Sequence, residues 1–255
     1  PAMTVAALRI ALAAAVLSLA SGARLSVWFG LPGKQRLLIG LAGLLLAGHF
    51  AVWISSLYMT STAASVALVA TQPIFAALFG RLFLRDTLTI REAGGILVAG
   101  VGCALLARGD LGNGDAIIGD ALAVLGAALA AAYLVAGRRL RVDIALVPYL
   151  AMVNLVAAVV LVVAAIAVGA PFGGFDGNVY LAIAACAVVP SLVGHTLLNW
   201  SVRRVAAHVV ALAILGEPVG ASLIQWLAHG ERPPSHAVIG GAVILVGIAI
   251  GFARR

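Results

Sequence analysis

Nine apolar runs dominate the sequence, and each is long enough to cross a bilayer as a helix, which takes about 20 mainly apolar residues. They are Met3–Ala20, Leu37–Tyr58, Thr62–Leu84, Arg91–Ala107, Ala116–Gly137, Ile144–Val168, Val179–Val202, Ala206–Ala228 and Ala237–Ala253. The runs are too long for the strands of a membrane barrel and have no period of two. The sequence predicts an all-α integral membrane protein, a bundle of nine transmembrane helices. Because the connections are short, helices adjacent in sequence are expected to be neighbours in space.

The composition agrees with lipid as the solvent. Of the 255 residues, 64% are hydrophobic and only 10% are charged, whereas a soluble domain is about one-quarter charged. The net charge of +7 does not indicate nucleic-acid binding, because the basic residues cluster at the ends of the apolar runs, as cytoplasmic anchors do. Neither cysteine implies a disulfide, since both lie inside apolar runs.

The basic residues orient the helices. Thirteen of the sixteen Lys and Arg residues fall in alternate connections or at the C-terminus: Arg24, Lys34, Arg36, Arg81, Arg85, Arg91, Arg138, Arg139, Arg141, Arg203, Arg204, Arg254 and Arg255. The opposite connections carry Arg108 and Arg232, with the acids Asp110, Asp115, Asp120, Asp176 and Glu231. The positive-inside rule therefore predicts that the basic loops and the C-terminus are cytoplasmic. A multi-pass protein of the bacterial inner membrane is expected.

The second to fourth runs recur as the seventh to ninth. A shift of 145 residues places Gln72-Pro73 on Glu217-Pro218, and Gly95 and Gly102 on Gly240 and Gly247; the pairs Gly48-His49 and Gly194-His195 match at 146. An odd number of helices separates the copies, so they cross the membrane in opposite senses. Inverted-topology repeats are typical of secondary transporters, whose substrates bind near the midplane.

The two copies resemble the EamA family of the drug/metabolite transporter superfamily. The first copy contains Ser65-Val66-Ala67-Leu68, Gln72-Pro73-Ile74-Phe75, Leu84-Arg85-Asp86 and Gly94-Gly95. The second contains Ala211-Leu212, Gly216-Glu217-Pro218-Val219, His229-Gly230-Glu231-Arg232 and Gly240-Gly241. The first copy departs from the family pattern, with Gln72 in place of Glu and Arg85-Asp86 in place of Gly-Glu.

The resemblance implies a ten-helix permease in two repeats, which we place at 1–110 and 111–255. Nine runs agree with a missing first helix, whose counterpart would be the Ala116–Gly137 run. The resemblance does not specify a substrate, since the family spans amino acids, metabolites and drugs.

Glu217 is the sharpest candidate, because an acid near the middle of a membrane helix is costly and marks a functional site by default. It is interpreted as a proton carrier or cation anchor, with interhelical bonding of a protonated Glu as the alternative. Pro73 and Pro218 are predicted to kink their helices.

Two polar stripes are predicted to line one central cavity. Ser191, His195 and Asn199 lie at i, i+4 and i+8 of the seventh run, while His49 and Trp53 lie at i and i+4 of the second. Polar contacts between helices, without a cavity, are the alternative. Weaker candidates are Gln72, Tyr133, Asn154 and Gln225. Arg9 is interpreted as structural, snorkelling outward, and His208, His229 and His236 are given no function.

The leading hypothesis is a secondary transporter of small organic solutes that works by alternating access and is proton-coupled through Glu217. The runner-up is an uncoupled facilitator, and an intramembrane enzyme or membrane scaffold is the rival from another class. No nucleotide-binding loop and no metal-ligand spacing occur, so no catalytic residues, cofactor or metal are predicted. The expected partners are a small-molecule solute and membrane lipid, and no nucleic acid. A monomer is compatible with the sequence, which does not fix the oligomeric state.

Overall fold

A computed structural model describes residues 2–22, 25–106, 116–230 and 232–253, and the regular structure in those ranges is helical throughout. The helices are α1 Ala2–Ala20, α2 Leu25–Gly30, α3 Gly33–Ser56, α4 Thr62–Val69, α5 Gln72–Leu84, α6 Ile90–Leu106, α7 Ile117–Leu140, α8 Leu146–Ala167, α9 Gly177–Cys186, α10 His195–Ser201, α11 Ala207–Ile214, α12 Glu217–His229 and α13 Ser235–Phe252; a π-helical segment, Ala187–Gly194, joins α9 to α10. The all-α prediction is confirmed.

Some predictions fall outside the described residues: the repeat boundary between residues 110 and 111, the end of the fourth run at Ala107, the side chains of Gln225 and His229, and the loop or terminal residues Arg24, Arg108, Asp110, Asp115, Glu231, Arg254 and Arg255.

The described helices account for the nine predicted spans. Eight spans are long and apolar enough to cross a bilayer, and α6, with 17 residues, is slightly shorter than these. Three of the eight are composite: α4 with α5, α11 with α12, and α9 with α10. An interruption in a membrane helix leaves backbone N–H and C=O groups without their helical hydrogen bonds. Such groups are found only where protein or water can bond to them, so the composite spans are places to look for a functional site.

The helices form two compact units. Unit 1 contains α1, α2, α3, the C-terminal end of α7, α8, α9, the π-helical segment and α10. Unit 2 contains α4, α5, α6, the larger N-terminal part of α7, α11, α12 and α13. Each unit takes helices from both halves of the sequence, so a compact unit is not the same thing as a repeat.

Within unit 1, α1 packs along α8. The Thr4 hydroxyl at the start of α1 donates to the Pro171 carbonyl, in the loop after α8, at 2.8 Å, so the two helices run antiparallel. The two helices are far apart in sequence, although neighbours in sequence such as α12 and α13 also contact each other. A shift of 145 residues places α1 on α8, so these two helices are counterparts in the repeat. The most extensive helix–helix packing in each unit is between counterparts of this kind.

Within unit 2, α6 and α13 pack closely because glycines line their contact. A Cβ atom added at Gly95 would lie 2.6 Å from the Gly247 carbonyl oxygen, and one added at Gly102 would lie 2.7 Å from the Gly240 carbonyl oxygen. Early residues of α6 therefore meet late residues of α13, and the helices run antiparallel. Because these helices are counterparts, the inverted repeat is confirmed, and Gly247 serves packing within the chain.

The two interrupted spans have the same construction. A shift of 145 residues places both ends of α4 on those of α11, and both ends of α5 on those of α12. Two residues separate the half-helices in each copy, and Pro73 and Pro218 are each the second residue of the later half. Both later halves end in a left-handed residue, Arg85 at φ 59° or Gly230 at φ 72°. The repeat thus extends to the backbone conformation.

Replacing Gly102 by Ala should destabilise the protein, because the added Cβ would lie 2.6 Å from the Ile244 backbone nitrogen. We expect a loss of roughly 1–3 kcal/mol, typical of an overpacked interior, measured by thermal unfolding in detergent. Gly100→Ala is the control in the same helix, since no atom lies within 4 Å of its added Cβ. Equal melting temperatures for the two variants would contradict the close α6–α13 contact.

Candidate functional site

A group of polar and aromatic side chains lies in the interior of unit 1. It draws on α1, α3, α7, the π-helical segment and α10, and we call it the unit 1 cluster: Arg9, His49, Phe50, Trp53, Tyr133, Ser191, His195 and Asn199. Four of its members are buried polar or charged side chains, Arg9, His49, Ser191 and Asn199. A fifth, Tyr133, forms a hydrogen bond with Asn199. In a protein whose outer surface faces lipid, such groups turn inward because hydrocarbon offers them no hydrogen bonds.

The two predicted stripes meet in this cluster. His49 is buried and stacks on Trp53, with ring centroids 5.6 Å apart and an interplanar angle of 9°. Phe50, beside His49 in sequence, lies 5.4 Å from the His195 ring. Aromatic contacts therefore join the stripe on α3 to the stripe on α10.

The deepest part of the unit 1 cluster is a hydrogen-bonded pair. The Asn199 amide nitrogen donates to the Tyr133 hydroxyl at 2.6 Å and to the His195 carbonyl at 2.8 Å. Both side chains are fully buried. The Asn199 Oδ1 and the His195 Nδ1 are also buried, yet neither has a hydrogen-bond partner among the described residues. Because buried polar atoms are nearly always paired, these two atoms are suited to a polar ligand.

Arg9 belongs to the cluster, and the prediction that it snorkels outward is wrong. Its side chain is 7% exposed, its Nε donates to the Ser191 hydroxyl at 2.6 Å, and its guanidinium lies 4.5 Å from the centre of the Phe50 ring. A serine and an aromatic face inside the bundle stabilise the cation better than a path through lipid. The signal in the sequence was an arginine in the middle of an otherwise apolar run.

Ser191 lies in the π-helical segment Ala187–Gly194, where the sequence predicts ordinary α-helix. Its hydroxyl donates to the Cys186 carbonyl, five residues earlier, at 3.1 Å. Pro190 also lies inside this segment. A π-helical turn is wider than an α-helical turn, because its hydrogen bonds join residues five apart, and such turns occur frequently at functional sites.

A small cavity in unit 2 lies at the two helix interruptions. Five residues of the first copy line it, Val66, Val69, Ala70, Gln72 and Pro73, together with their counterparts at a shift of 145, Ala211, Ile214, Leu215, Glu217 and Pro218. The cavity has about 250 Å³ of space free of protein atoms, part of it open to solvent. We call it the symmetric cavity. It brings Gln72 and Glu217 to one place.

The two polar residues of the symmetric cavity differ in exposure. Gln72 is buried, at 7% exposure, whereas Glu217 is exposed. An ionisable side chain on a membrane helix faces a water-filled space or the bundle interior rather than lipid. Glu217 is therefore expected to be reached by water from the interruption between α11 and α12.

The remaining polar candidates have other surroundings. Asn154 donates to the Leu150 carbonyl of its own helix at 2.9 Å, which is a local structural contact. His208, which was given no function, is 1% exposed, and its Nε2 lies 3.4 Å from the Glu92 carboxylate. Glu92 in turn accepts hydrogen bonds from the backbone nitrogen and the hydroxyl of Thr89. This contact attaches the start of α11 to the start of α6.

The comparisons with known proteins agree with this architecture. A protein-family model described as "EamA-like transporter family" matches residues 1–108 and again residues 117–252. One solved crystal structure, described only as that of a protein, aligns with 99% of this chain and 87% of its own, with a TM-score of 0.82 and 21% identity. At that identity the likeness shows a shared fold alone. No curated protein matches the chain.

Removing the Tyr133 hydroxyl should destabilise the protein, because Asn199 would lose a buried hydrogen-bond partner. For Tyr133→Phe we expect about 1 kcal/mol, or a fall in melting temperature of about 2–4 °C for a chain of this size. Tyr180→Phe is the matched control, since the Tyr180 hydroxyl bonds the Phe172 carbonyl in an exposed setting. If the control loses as much stability as Tyr133→Phe, the buried pair has no special role.

Proposed function

The chain belongs to the EamA-like transporter family, and from that premise we propose that it is a secondary transporter that moves small organic solutes by alternating access. The family and the apolar helices make it an integral multi-pass membrane protein. Amino acids, metabolites and drugs are the proposed solute classes. The bacterial inner membrane is the proposed location, the loop charges favour a cytoplasmic C-terminus, and a monomer is the proposed working form.

The unit 1 cluster is the observation that best supports solute binding. Six residues of this cluster are proposed to contact the solute: His49, Trp53, Tyr133, Ser191, His195 and Asn199. Gln72, the seventh predicted solute contact, lines the symmetric cavity of unit 2. Trp53 and His195 are partly exposed, so they are placed to meet a solute first. The unpaired His195 Nδ1 and Asn199 Oδ1 supply polar contacts, and the aromatic rings supply apolar surface, a combination common in small-molecule sites.

The interrupted helices support alternating access. Transporters built from inverted repeats use discontinuous helices near the midplane, where two half-helices can change their relative angle. Here α4–α5 and α11–α12 are interrupted at equivalent positions. We propose that Pro73 and Pro218, which begin the later halves, keep these joints from closing into continuous helix.

Glu217 is the proposed coupling residue, with the proton as the coupling ion. Its support is the position of an exposed acid at a helix interruption in the middle of a span. An uncoupled facilitator is the second candidate, and a membrane enzyme or scaffold is the rival from another class. Counterflow of labelled amino acids and amines in proteoliposomes separates transport from that rival.

Replacing His195 by Ala should weaken transport by raising KM about tenfold, as expected when a group that binds the solute is removed. The assay uses whichever labelled amino acid or amine passes the counterflow screen. His236→Ala is the matched control, because His236 lies in the first turn of α13 and outside the cluster. A KM that is unchanged in His195→Ala would remove His195 from the solute site.

Replacing Glu217 by Gln should abolish uptake driven by a pH gradient while the protein stays folded, because the amide cannot carry a proton. Uptake into proteoliposomes with and without the gradient measures this effect, and size-exclusion chromatography checks the fold. Asp143→Asn, which neutralises an exposed acid, should retain coupling. If gradient-driven uptake persists in Glu217→Gln, the facilitator hypothesis replaces the coupled one.

A further inference from the structure

Three arginine side chains lie at the C-terminal end of α10, in unit 1. The Arg141 Nε donates to the Asn199 carbonyl at 3.4 Å. The Arg204 Nη1 donates to the next carbonyl along the helix, that of Trp200, at 3.1 Å. Arg203 precedes Arg204 in the turn that follows α10. We call Arg141, Arg203 and Arg204 the arginine triplet.

The arginine triplet concentrates positive charge. Burial lowers the pKa of the Arg141 guanidinium, and repulsion from Arg203 and Arg204 lowers it further. Arg141 is nevertheless held in place, because its Nη1 also donates to the Ile144 carbonyl. Across the parts of the chain that the structure describes, no ion pair joins the triplet to an acid. A bound anion would therefore relieve the repulsion within the triplet.

The end of α10 accounts for only part of this charge. A helix C-terminus is equivalent to about −0.5 elementary charge, and basic side chains commonly bond to its last carbonyls. Three guanidinium groups therefore leave roughly +2.5 uncompensated. Further basic residues lie in the first turn of α3 and the last turn of α7: Lys34, Arg36, Arg138 and Arg139.

Contacts between the elements place these charges at one end of unit 1. The Gln35 amide, in the first turn of α3, donates to the Asp143 carboxylate at 3.4 Å, so the start of α3 lies beside the turn after α7. The bond from Arg141 to Asn199 attaches that turn to the end of α10. Within the described residues of unit 1 the acids are Asp143 and Asp176, and Asp176 precedes α9, a whole span away. This end of the unit is therefore strongly basic, and the loop charges favour a cytoplasmic location for it.

An exposed apolar edge of α10 leads to the arginine triplet. Leu197 is 57% exposed and Trp200 is 47% exposed, and side chains three residues apart share a helix face. The Arg204 guanidinium lies over the Trp200 indole, 3.9 Å from the ring centre. Tryptophan is enriched where hydrocarbon meets lipid headgroups. Along α10 the side chains therefore change from aliphatic to indole to guanidinium, which is the order in which a phospholipid presents its acyl chains, glycerol and phosphate.

The same side chains define the charge of the headgroup. A guanidinium matches the oxygens of a phosphate, to which it can donate two parallel hydrogen bonds. A headgroup that carries its own ammonium, as in phosphatidylcholine, brings a positive charge to a basic surface, whereas the headgroup of phosphatidylglycerol does not. Free phosphate shares the chemistry of the headgroup but makes no use of Leu197 and Trp200. An anionic phospholipid is therefore the favoured ligand.

From these observations we propose that the cytoplasmic end of unit 1 binds the phosphate of an anionic phospholipid. Arg203 and Arg204, which are exposed, donate to the phosphate, and the buried Arg141 adds positive charge behind them. The site goes beyond the proposed function, because it needs no solute. It is connected to the unit 1 cluster through Asn199, whose carbonyl accepts from Arg141 and whose side chain donates to Tyr133.

The test measures the melting temperature of the purified chain in detergent, at low ionic strength, with added phosphatidylglycerol, phosphatidylcholine or inorganic phosphate. Phosphatidylglycerol should raise the melting temperature by about 3–6 °C at a concentration roughly ten times Kd, because it binds the folded state. Phosphatidylcholine and inorganic phosphate should leave it unchanged. Combining Arg203→Gln with Arg204→Gln should abolish the rise. The matched control combines Arg81→Gln with Arg232→Gln, at two exposed arginines of unit 2, and should keep it.

A rise that survives in the Arg203→Gln, Arg204→Gln variant, once size-exclusion chromatography shows it to be folded, would overturn the proposal. So would an equal rise with phosphatidylcholine, which would assign the effect to the acyl chains, or with inorganic phosphate, which would assign the site to a free anion. Salt provides a measurement that needs no substitution. The Debye length falls to about 4 Å at about 0.5 M NaCl, so the rise in the parent chain should shrink, and a rise that salt does not change would contradict a site based on charge.

Discussion

Hydrocarbon offers no partner for a backbone N–H or C=O group, and the rest of this structure follows from that constraint. Continuous helices satisfy their own backbone and make up most of the spans. Wherever a helix is interrupted, the freed groups must be turned toward protein or water. The two interruptions at Gln72-Pro73 and Glu217-Pro218 obey this rule, since both line one cavity in unit 2. Departures from regular helix therefore lie where the freed backbone groups can face protein or water.

Because of the inverted repeat, the interruption between α4 and α5 has an equivalent between α11 and α12. The side chains at equivalent positions differ in chemistry. Gln72 and Glu217 occupy equivalent positions, but only one of them can ionise. His208 has Ala63 as its counterpart and Glu92 has Ala237, so the buried contact between His208 and Glu92 exists in one copy alone. A symmetric backbone with asymmetric polar groups allows the two faces of a transporter to differ while its helices pack in nearly the same way.

The spans, the repeat and the family were predictable from sequence because lipid demands long apolar segments and the copies share their glycines and prolines. The close approach of α6 and α13 was implicit in Gly95, Gly102, Gly240 and Gly247. The direction of the Arg9 side chain was not predictable, because a long side chain can reach either the membrane interface or a partner inside the bundle. Its partner, Ser191, is 182 residues away in the sequence. The π-helical segment was also hidden, because Ala187-Val188-Val189-Pro190 is equally compatible with ordinary apolar helix.

That π-helical segment has a geometric consequence. The span from Gly177 to Ser201 has 25 residues, whereas its counterpart α3 has 24. In a regular α-helix, one surplus residue would rotate all later side chains by about 100°. A widened turn absorbs the surplus locally, so α10 keeps its angular phase and its polar edge stays directed inward.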